Sequence, residues 1–342
     1  MNHKNLNVKI KIPKILKDNL KRKRIGQIYR VFEKSLSINE NFVVAVSGGA
    51  DSLALAYLAK VYSIQKGLNP KFYIVDHKLR SESTKEAKVV KKVLKQIFID
   101  AKILTWNGKK PLKNIQSSAR IARYELLSKE SSKFKIKNIL LGHHQDDLLE
   151  NFFIRMLRGS GLKGLVSLDK VSKFKGKNIL RPLLNLKKED LIYISKKVFN
   201  FYVQDPTNKD EKYKRIKIRN IIAEFQKNGL DKEKFNKTIQ NLKYSNNVVN
   251  FYVNKNLENN SFFSTKNNRL ILNKSFFLQP YEVTFRSLTE SIKIIGKKHY
   301  PVRGKKIDKL IYQIKNDNSL MTTLGNCIIK RVNNSVIVSK ER

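Results

Sequence analysis

The sequence predicts an α/β protein: a doubly wound, mostly parallel sheet, followed by a helical segment and a small α+β C-terminal domain. Three observations predict it. Short β-branched runs alternate with helical patterns over residues 42–157, with connections of a few residues. Every cluster of glycine, acid or histidine in that stretch begins where one of those strands ends, as ligand sites do in open α/β sheets. Beyond about Leu230 the pattern changes to a polar helix, two further helices and a terminal strand pair.

FVVAV (42–46) is the first strand, and DSLALAYLAKVYS carries helical spacing after it. KFYIVD (71–76) precedes a helix over 83–98, and AKILTW (101–106) precedes one over about 115–131. NILLGH (138–143) precedes a helix from Asp146 to about Leu157. Arg181 stands at a further strand end, followed by the helix KKEDLIYISKKVFN, the turn DPTN (205–208) and a basic helix near 213–226. The C-terminal part reads as a helix over about 231–254, the strand RLILN and helices near 280–296 and 304–315. It ends in CIIKRV and SVIVSK, joined through Asn333-Asn334. Residues 1–24 are basic, end in Lys21-Arg22-Lys23-Arg24, and read as a helix, a tail or a nucleic-acid arm, the tail being the plainest reading.

Composition narrows the function classes. The chain has 342 residues, 71 Lys plus Arg against 28 Asp plus Glu, and a formal charge of +43. Such an excess calls for a polyanionic partner, nucleic acid above all. A/T-rich codon usage would raise lysine, but it would raise glutamate too. No run of about eighteen apolar residues is present, and the charged N-terminus does not resemble a signal peptide, so no membrane partner and a cytoplasmic location are expected. The single cysteine, Cys327, excludes an internal disulfide and any multi-thiolate metal site.

SGGADS (47–52) joins the first strand to its helix. Gly48 and Gly49 permit close backbone approach, and their amides, with the Ser47 and Ser52 hydroxyls and the helix N-terminus that Ala50 opens, form an anion cradle. No GK[ST] ending follows, so it is not a Walker loop. Asp51 inside such a cradle would repel phosphate unless a cation bridges the two, which suggests Mg2+. The plainer reading is a Ser-Gly turn with Asp51 at a helix start.

VDHKLR (75–80) offers Asp76 or nearby backbone atoms to adenine or ribose and Arg80 to phosphate, the plainer reading being a solvated or capping Asp. QSSARIARYELL (116–127) sets Arg120 and Arg123 three apart on one helix side, an exposed pair or a neutraliser of pyrophosphate. In GHHQDDLLENFFIRMLRGSG (142–161), Asp146, Asp147 and Glu150 share a helical face beside His143. First-turn acids suit the helix dipole, but they also suit Mg2+ or a cationic substrate. Arg155, Arg158, Arg181, Arg215 and Arg219 are candidate phosphate or RNA contacts, or a solvated basic face. A metal-dependent phosphoesterase would need Asp/His ligands on an early strand, where SGGADS stands instead.

Together, SGGADS, VDHKLR, the AR-x-x-RY run, HHQDD-x-x-E, RGSG-x-x-GL, RPLL and DPTN resemble the tRNA(Ile)-lysidine synthetases of the PP-loop ATP pyrophosphatase superfamily. The resemblance covers about residues 40–225, and the ending TTLGNCIIKRV…VIVSKER is similar to that family's terminal domain. It implies ATP and Mg2+ as cofactors. It implies adenylation of C2 of the anticodon wobble cytidine in tRNA(Ile) with a CAU anticodon, then displacement of AMP by free lysine.

On this resemblance Asp51, Arg120, Asp146, Asp147 and Glu150 are catalytic candidates. Ser47–Ser52, Asp76 and His143 would bind ATP, and Arg155, Arg158, Arg181, Arg215 and Arg219 would bind tRNA. Asp51 would hold Mg2+. The implied organisation is a basic extension over 1–24, a catalytic domain over 25–228 and a tRNA-binding region over 229–342, with a homodimer among the assemblies allowed. Leu148, Asn151 and DPTN depart mildly from the family pattern. Two alternatives are a sulfur-inserting relative, disfavoured by the lone Cys327, and a noncatalytic RNA-binding protein, disfavoured by the retained acids.

Overall fold

The computed structural model describes residues 12–78, 81–108, 115–204, 214–265, 268–298 and 301–341. The chain forms two compact units, the first ending at Asn236 and the second beginning at Lys237.

In the first unit, β1 (Phe42–Val46), β2 (Lys71–Asp76), β3 (Ala101–Thr105), β4 (Asn138–Leu140) and β6 (Lys177–Leu180) pair in parallel. β5 (Val171–Phe174) closes the edge antiparallel to β6, and the order is β3-β2-β1-β4-β6-β5. The intervening helices are α3 (Ala50–Gln65), α4 (Ser83–Lys95), α5 (Ile115–Lys133), α6 (Gln145–Met156), the short α7 (Leu162–Leu165), α8 (Lys188–Phe199) and α9 (Lys214–Lys227). The period of two sorts each strand onto two faces. Phe42, Val44, Val46, Phe72, Ile74 and Leu140 join one core with α3, α4 and α8, while Val43, Tyr73, Leu104 and Ile139 join another with Tyr124 and Leu127 of α5. α3 is buried nearly all round, in keeping with the apolar run LALAYLA (53–59).

The chain runs outward from β1 to β3, then returns to place β4 on the other side of β1. That reversal is the topological switch point, where the two strand ends diverge and leave a crevice.

Of the three readings of the N-terminal segment, the described residues take the helix and not the plainer tail. From residue 12 onward it is folded, as α1 (Lys14–Lys21) and α2 (Lys23–Ser35). Leu16, Ile25 and Phe32 are fully buried, and the Tyr57 hydroxyl donates to the Leu16 carbonyl. The charges occupy one side of amphipathic helices whose apolar residues belong to the main core.

The second unit has α10 (Lys232–Asn260, which begins in the first unit), α11 (Tyr281–Ile295) and α12 (Gly304–Asn316). Its antiparallel sheet comprises β7 (Ser261–Ser264), β8 (Arg269–Leu272), β9 (Met321–Thr323), β10 (Cys327–Val332) and β11 (Ser335–Lys340), in the order β7-β8-β11-β10-β9. Leu272, Leu288, Ile307, Ile329 and Val338 centre its core. Among the described residues no helix is long and apolar enough to cross a membrane.

Candidate active site

The loop after β1 turns on Gly48, whose φ is +87° and whose position would drive a Cβ to 2.5 Å from Val90 Cγ2. Only glycine fits there. Gly49 is ordinary extended backbone with room around it, so sterics fix one of the two glycines and not both. Ser52 Oγ closes the turn, accepting from the Ser47 amide at 3.1 Å and donating to the Gly49 carbonyl at 2.9 Å. The first-turn amides of α3 have no partners within the helix, which leaves them available at the carboxyl end of β1. From the opposite lip, Gly142 lies so close that a Cβ would sit 3.2 Å from the Asp51 carbonyl carbon and the Ser52 nitrogen.

Asp51 is the first surprise. Both its oxygens accept from Lys188 Nζ, at 2.6 and 2.7 Å, and His144 Nε2 stands 3.7 Å away. The Asp146 carboxylate accepts from Lys232 Nζ at 2.8 Å. Asp147 caps α6, accepting from the His144 amide at 2.8 Å, while His144 Nδ1 accepts from the Asp146 amide at 3.3 Å. Glu150 is buried and pairs with Arg219, while its second oxygen is buried with no hydrogen-bond partner among the described residues. Burial pushes the Glu150 carboxyl above its ordinary range, Arg219 pulls it back, and Asp147 pushes it up. The acids therefore converge, and the chain's own cations or amides already meet each one.

Packing sets this arrangement. Leu149 and Phe153 of α6 meet Ile218 and Ile222 of α9, and Phe153 stacks on Phe235 with centroids 5.5 Å apart. That contact carries Arg219 to Glu150, one residue from Ile218 and Leu149 respectively.

The other side of the crevice is arginine-rich. The His143 pKa lies well below its ordinary value because the ring is buried and Arg120, Arg181, Arg123 and Arg215 repel its charged form. Its Nδ1 is buried without a partner among the described residues. His77 is pushed down to about 4 by burial and by Arg123, against the pull of Asp76. Burial and the fields of Arg120 and Arg215 also lower the Arg123 pKa; burial and the fields of Arg158 and Arg120 lower that of Arg155. Arg120 lies over the Tyr124 ring at 5.1 Å.

Several expected roles look different in this geometry. Asp76 is 2% exposed and its carboxylate is filled by the Lys78 amide, Ser83 and Thr84, so it staples the loop into α4 and offers a nucleotide no open oxygen. Burial alone would raise its pKa, but these bonds hold it below the ordinary value. Arg181, read as an RNA contact, is 5% exposed and donates to the Asp169 carbonyl and Ser172 Oγ as folded. Arg219, read as an RNA contact, sits on Glu150. Arg158 and Arg215 are exposed. Arg80 and DPTN lie outside the described residues.

Sequence reasoning missed Lys188 and Lys232. Each is the first residue of its helix, where a cation opposes the macrodipole unless an acid from elsewhere holds it. That misplacement was the available signal, submerged in a lysine-rich chain.

The chain is similar to known proteins in sequence and in fold. Residues 18–225 match the PP-loop domain family. The chain is 32% identical over 312 residues to the tRNA(Ile)-lysidine synthase of Wolbachia sp. subsp. Brugia malayi (strain TRS), covering 89% of this chain and 71% of that protein. It is 31% identical over 320 residues to the tRNA(Ile)-lysidine synthase of Orientia tsutsugamushi (strain Boryong), covering 89% and 70%. Among solved structures it is similar to the U34-tRNA thiolase NcsA from Methanococcus maripaludis, with a TM-score of 0.56 and 19% identity over 65% of this chain and 78% of that one. That likeness concerns the fold alone.

Proposed function

The chain belongs to the tRNA(Ile)-lysidine synthase family of PP-loop proteins, and from that premise we propose how its crevice divides the work between two half-reactions. The enzyme is an ATP-dependent ligase that modifies the wobble cytidine of tRNA. The finer assignments are our reading: tRNA(Ile) with a CAU anticodon as acceptor, free lysine as the amine, Mg2+ with the ATP, and a cytoplasmic location.

In the first half-reaction the cytidine C2 oxygen attacks the α-phosphorus of ATP, and the bond to pyrophosphate breaks. The cradle from Ser47 to Ser52 binds the polyphosphate, and Arg120 and Arg123 face the charge that grows on the leaving group. Among the described residues no three His, Cys, Asp or Glu side chains form a metal cage. One carboxylate beside a phosphate cradle nonetheless fits Mg2+, which takes few protein ligands when phosphate oxygens and water complete its shell. Asp51 would hold the ion, and the ion would neutralise phosphate charge.

In the second half-reaction the lysine ε-amine attacks C2, forming the C–N bond as the C–O bond to AMP breaks. An amine of ordinary pKa about 10.4 must first lose a proton. The observation that carries the assignment of the amine site is the second oxygen of Glu150, buried, unpartnered among the described residues and on a carboxyl whose pKa is raised. Such an oxygen accepts an ammonium N–H and then the proton. Asp146 flanks it. Asp147, held as a cap, shapes the helix start instead of binding amine. Arg155, Arg158 and Arg215, with the residues beyond Lys237, are proposed to hold the tRNA. Self-association as a homodimer is a separate proposal, checked by light scattering.

The test uses α-labelled ATP and tRNA, with and without lysine. Asp51→Asn is expected to give no labelled tRNA. Glu150→Gln is expected to accumulate adenylated tRNA that lysine clears slowly. If both variants stop before adenylation, Glu150 serves ATP and the amine site lies elsewhere.

A further inference from the structure

The segment from Lys188 to Val203 holds the phosphate loop at three places. The Val203 amide donates to the Gly48 carbonyl at 2.9 Å, and Ser195 Oγ, fully buried, donates to the Ala50 carbonyl at 2.7 Å. Lys188 Nζ grips both oxygens of Asp51. The first two contacts fix backbone to backbone and fix α8 against α3. The third differs in kind, because it places a mobile ammonium on a long stem inside an anion cradle. Lys188 is also the first residue of α8, where the helix dipole disfavours a cation, so Asp51 compensates for an unfavourable position.

A polyphosphate arriving in this cradle meets a carboxylate that repels it and an ammonium that attracts it. Asp51 cannot bind a metal ion with both oxygens while Lys188 holds them. Both difficulties resolve together if the ammonium changes partner. We propose that Lys188 is a polyphosphate-binding residue: it neutralises Asp51 in the nucleotide-free enzyme and moves onto the phosphates when ATP and its cation reach Asp51. Its side chain, about one-third exposed, has the freedom for that exchange. The inference rests on the reading of Ser47–Ser52 as the ATP site. It adds a second cation to that site and makes the cation at Asp51 a competitor of Lys188.

The experiment uses the full chain and needs no tRNA. Binding of a fluorescent trinitrophenyl-ATP is measured for the wild type, Lys188→Met, Lys188→Arg and Asp51→Asn, and free Mn2+ is titrated by electron paramagnetic resonance without nucleotide. Lys188→Met is expected to weaken nucleotide binding about tenfold, the value of one charge-assisted bond, with Lys188→Arg within about threefold of wild type. Lys188→Met is also expected to bind Mn2+ more tightly, by about threefold or more, because the competitor is gone. A merely structural lysine would weaken both ligands as the loop loosened. Should Lys188→Met keep wild-type nucleotide affinity while Asp51→Asn loses it, the lysine only steadies Asp51 and the proposal fails. Should neither variant change nucleotide binding, the ATP-site reading itself fails. If Lys188→Met does not fold, Lys188→Gln replaces it in the same measurements.

Discussion

The two sides of the crevice are built on opposite electrostatic plans. On the acidic side every carboxylate has a partner: Asp51 has Lys188, Asp146 has Lys232, Asp147 has the His144 amide, and Glu150 has Arg219. On the basic side Arg120, Arg123, Arg155 and Arg215 have no carboxylate partner among the described residues, and Arg123 feels the fields of both Arg120 and Arg215. The acidic side is thus paired as folded, with the second oxygen of Glu150 left open among the described residues, and a ligand elsewhere on that side must displace something. The basic side stores like-charge repulsion that an anion would relieve, the usual mark of a site kept for function at a cost in stability.

The largest effect should come from breaking the basic side. Arg123→Met is expected to slow adenylation about 100-fold, the loss typical of a missing donor to developing charge. Its melting temperature should hold or rise, since a half-buried and repelled cation has gone. A large fall in stability with modest loss of rate would show that Arg123 belongs to the fold rather than the reaction.

On the acidic side, stability and chemistry should move together. Arg219→Met leaves Glu150 buried without its counter-ion, and a cost of about 2 kcal/mol is expected, at the low end for breaking a buried pair because Arg219 is itself 43% exposed. The Glu150 pKa in the fold, already raised, rises further in this variant. The penalty is then present above the unfolded value near 4.5 and shrinks as acid protonates the group. Denaturant melts of Arg219→Met at pH 7.5 and pH 5 check this; an equal penalty at both would show that Glu150 is not the charge at stake.

How much of this comparison was legible in the sequence depends on which force set each feature. Strands β1 to β4 and their helices follow from hydrophobic period and chain punctuation, so FVVAV and KFYIVD were found to the residue. The loop at Ser47–Ser52 and the acids at 146, 147 and 150 announce themselves because glycine and acid are scarce in this chain. Partner choice is different. Lys188 lies 137 positions from Asp51 and Lys232 lies 86 from Asp146, and nothing local to either lysine names its acid. The fold of α1 and α2 was hidden for a related reason: dense Lys and Arg masked the apolar stripe of Leu16, Ile25 and Phe32. The hairpin of β5 and β6 is short, and its Lys175-Gly176 turn is a weak signal.

A smaller effect sharpens the electrostatic contrast through pH. His77 has a folded pKa near 4 against about 6.5 unfolded, so the unfolded chain takes up its proton first. Stability is full above about pH 6.5 and is lost as pH falls toward 4, by about 2 kcal/mol between pH 7 and pH 5. Glu150 acts with the opposite sign. His77→Gln should flatten the acid limb of the stability curve, whatever it does to stability at pH 8. An unchanged limb would assign the acid sensitivity to His143, whose pKa is lowered by burial and by Arg120, Arg181, Arg123 and Arg215.

The smallest effect tests whether the chemistry is confined to the charged crevice. Cys327, the chain's one thiol, lies on β10 in the second unit, fully buried, with Sγ donating to the Ile292 carbonyl at 3.3 Å. Burial pushes its pKa up to about 11, so at neutral pH it is a protonated, inert thiol. Cys327→Ala removes one sulfur from a packed core and is expected to cost about 1 kcal/mol, with turnover within a few-fold of wild type. Cys327→Ser keeps a donor for Ile292 and should keep turnover equally well. Adenylation and lysine transfer measured on both variants, beside their melting curves, decide the matter. Lost turnover in a folded Cys327→Ser protein would place thiol chemistry in the reaction, and the division of labour between the acidic and basic sides would no longer account for it.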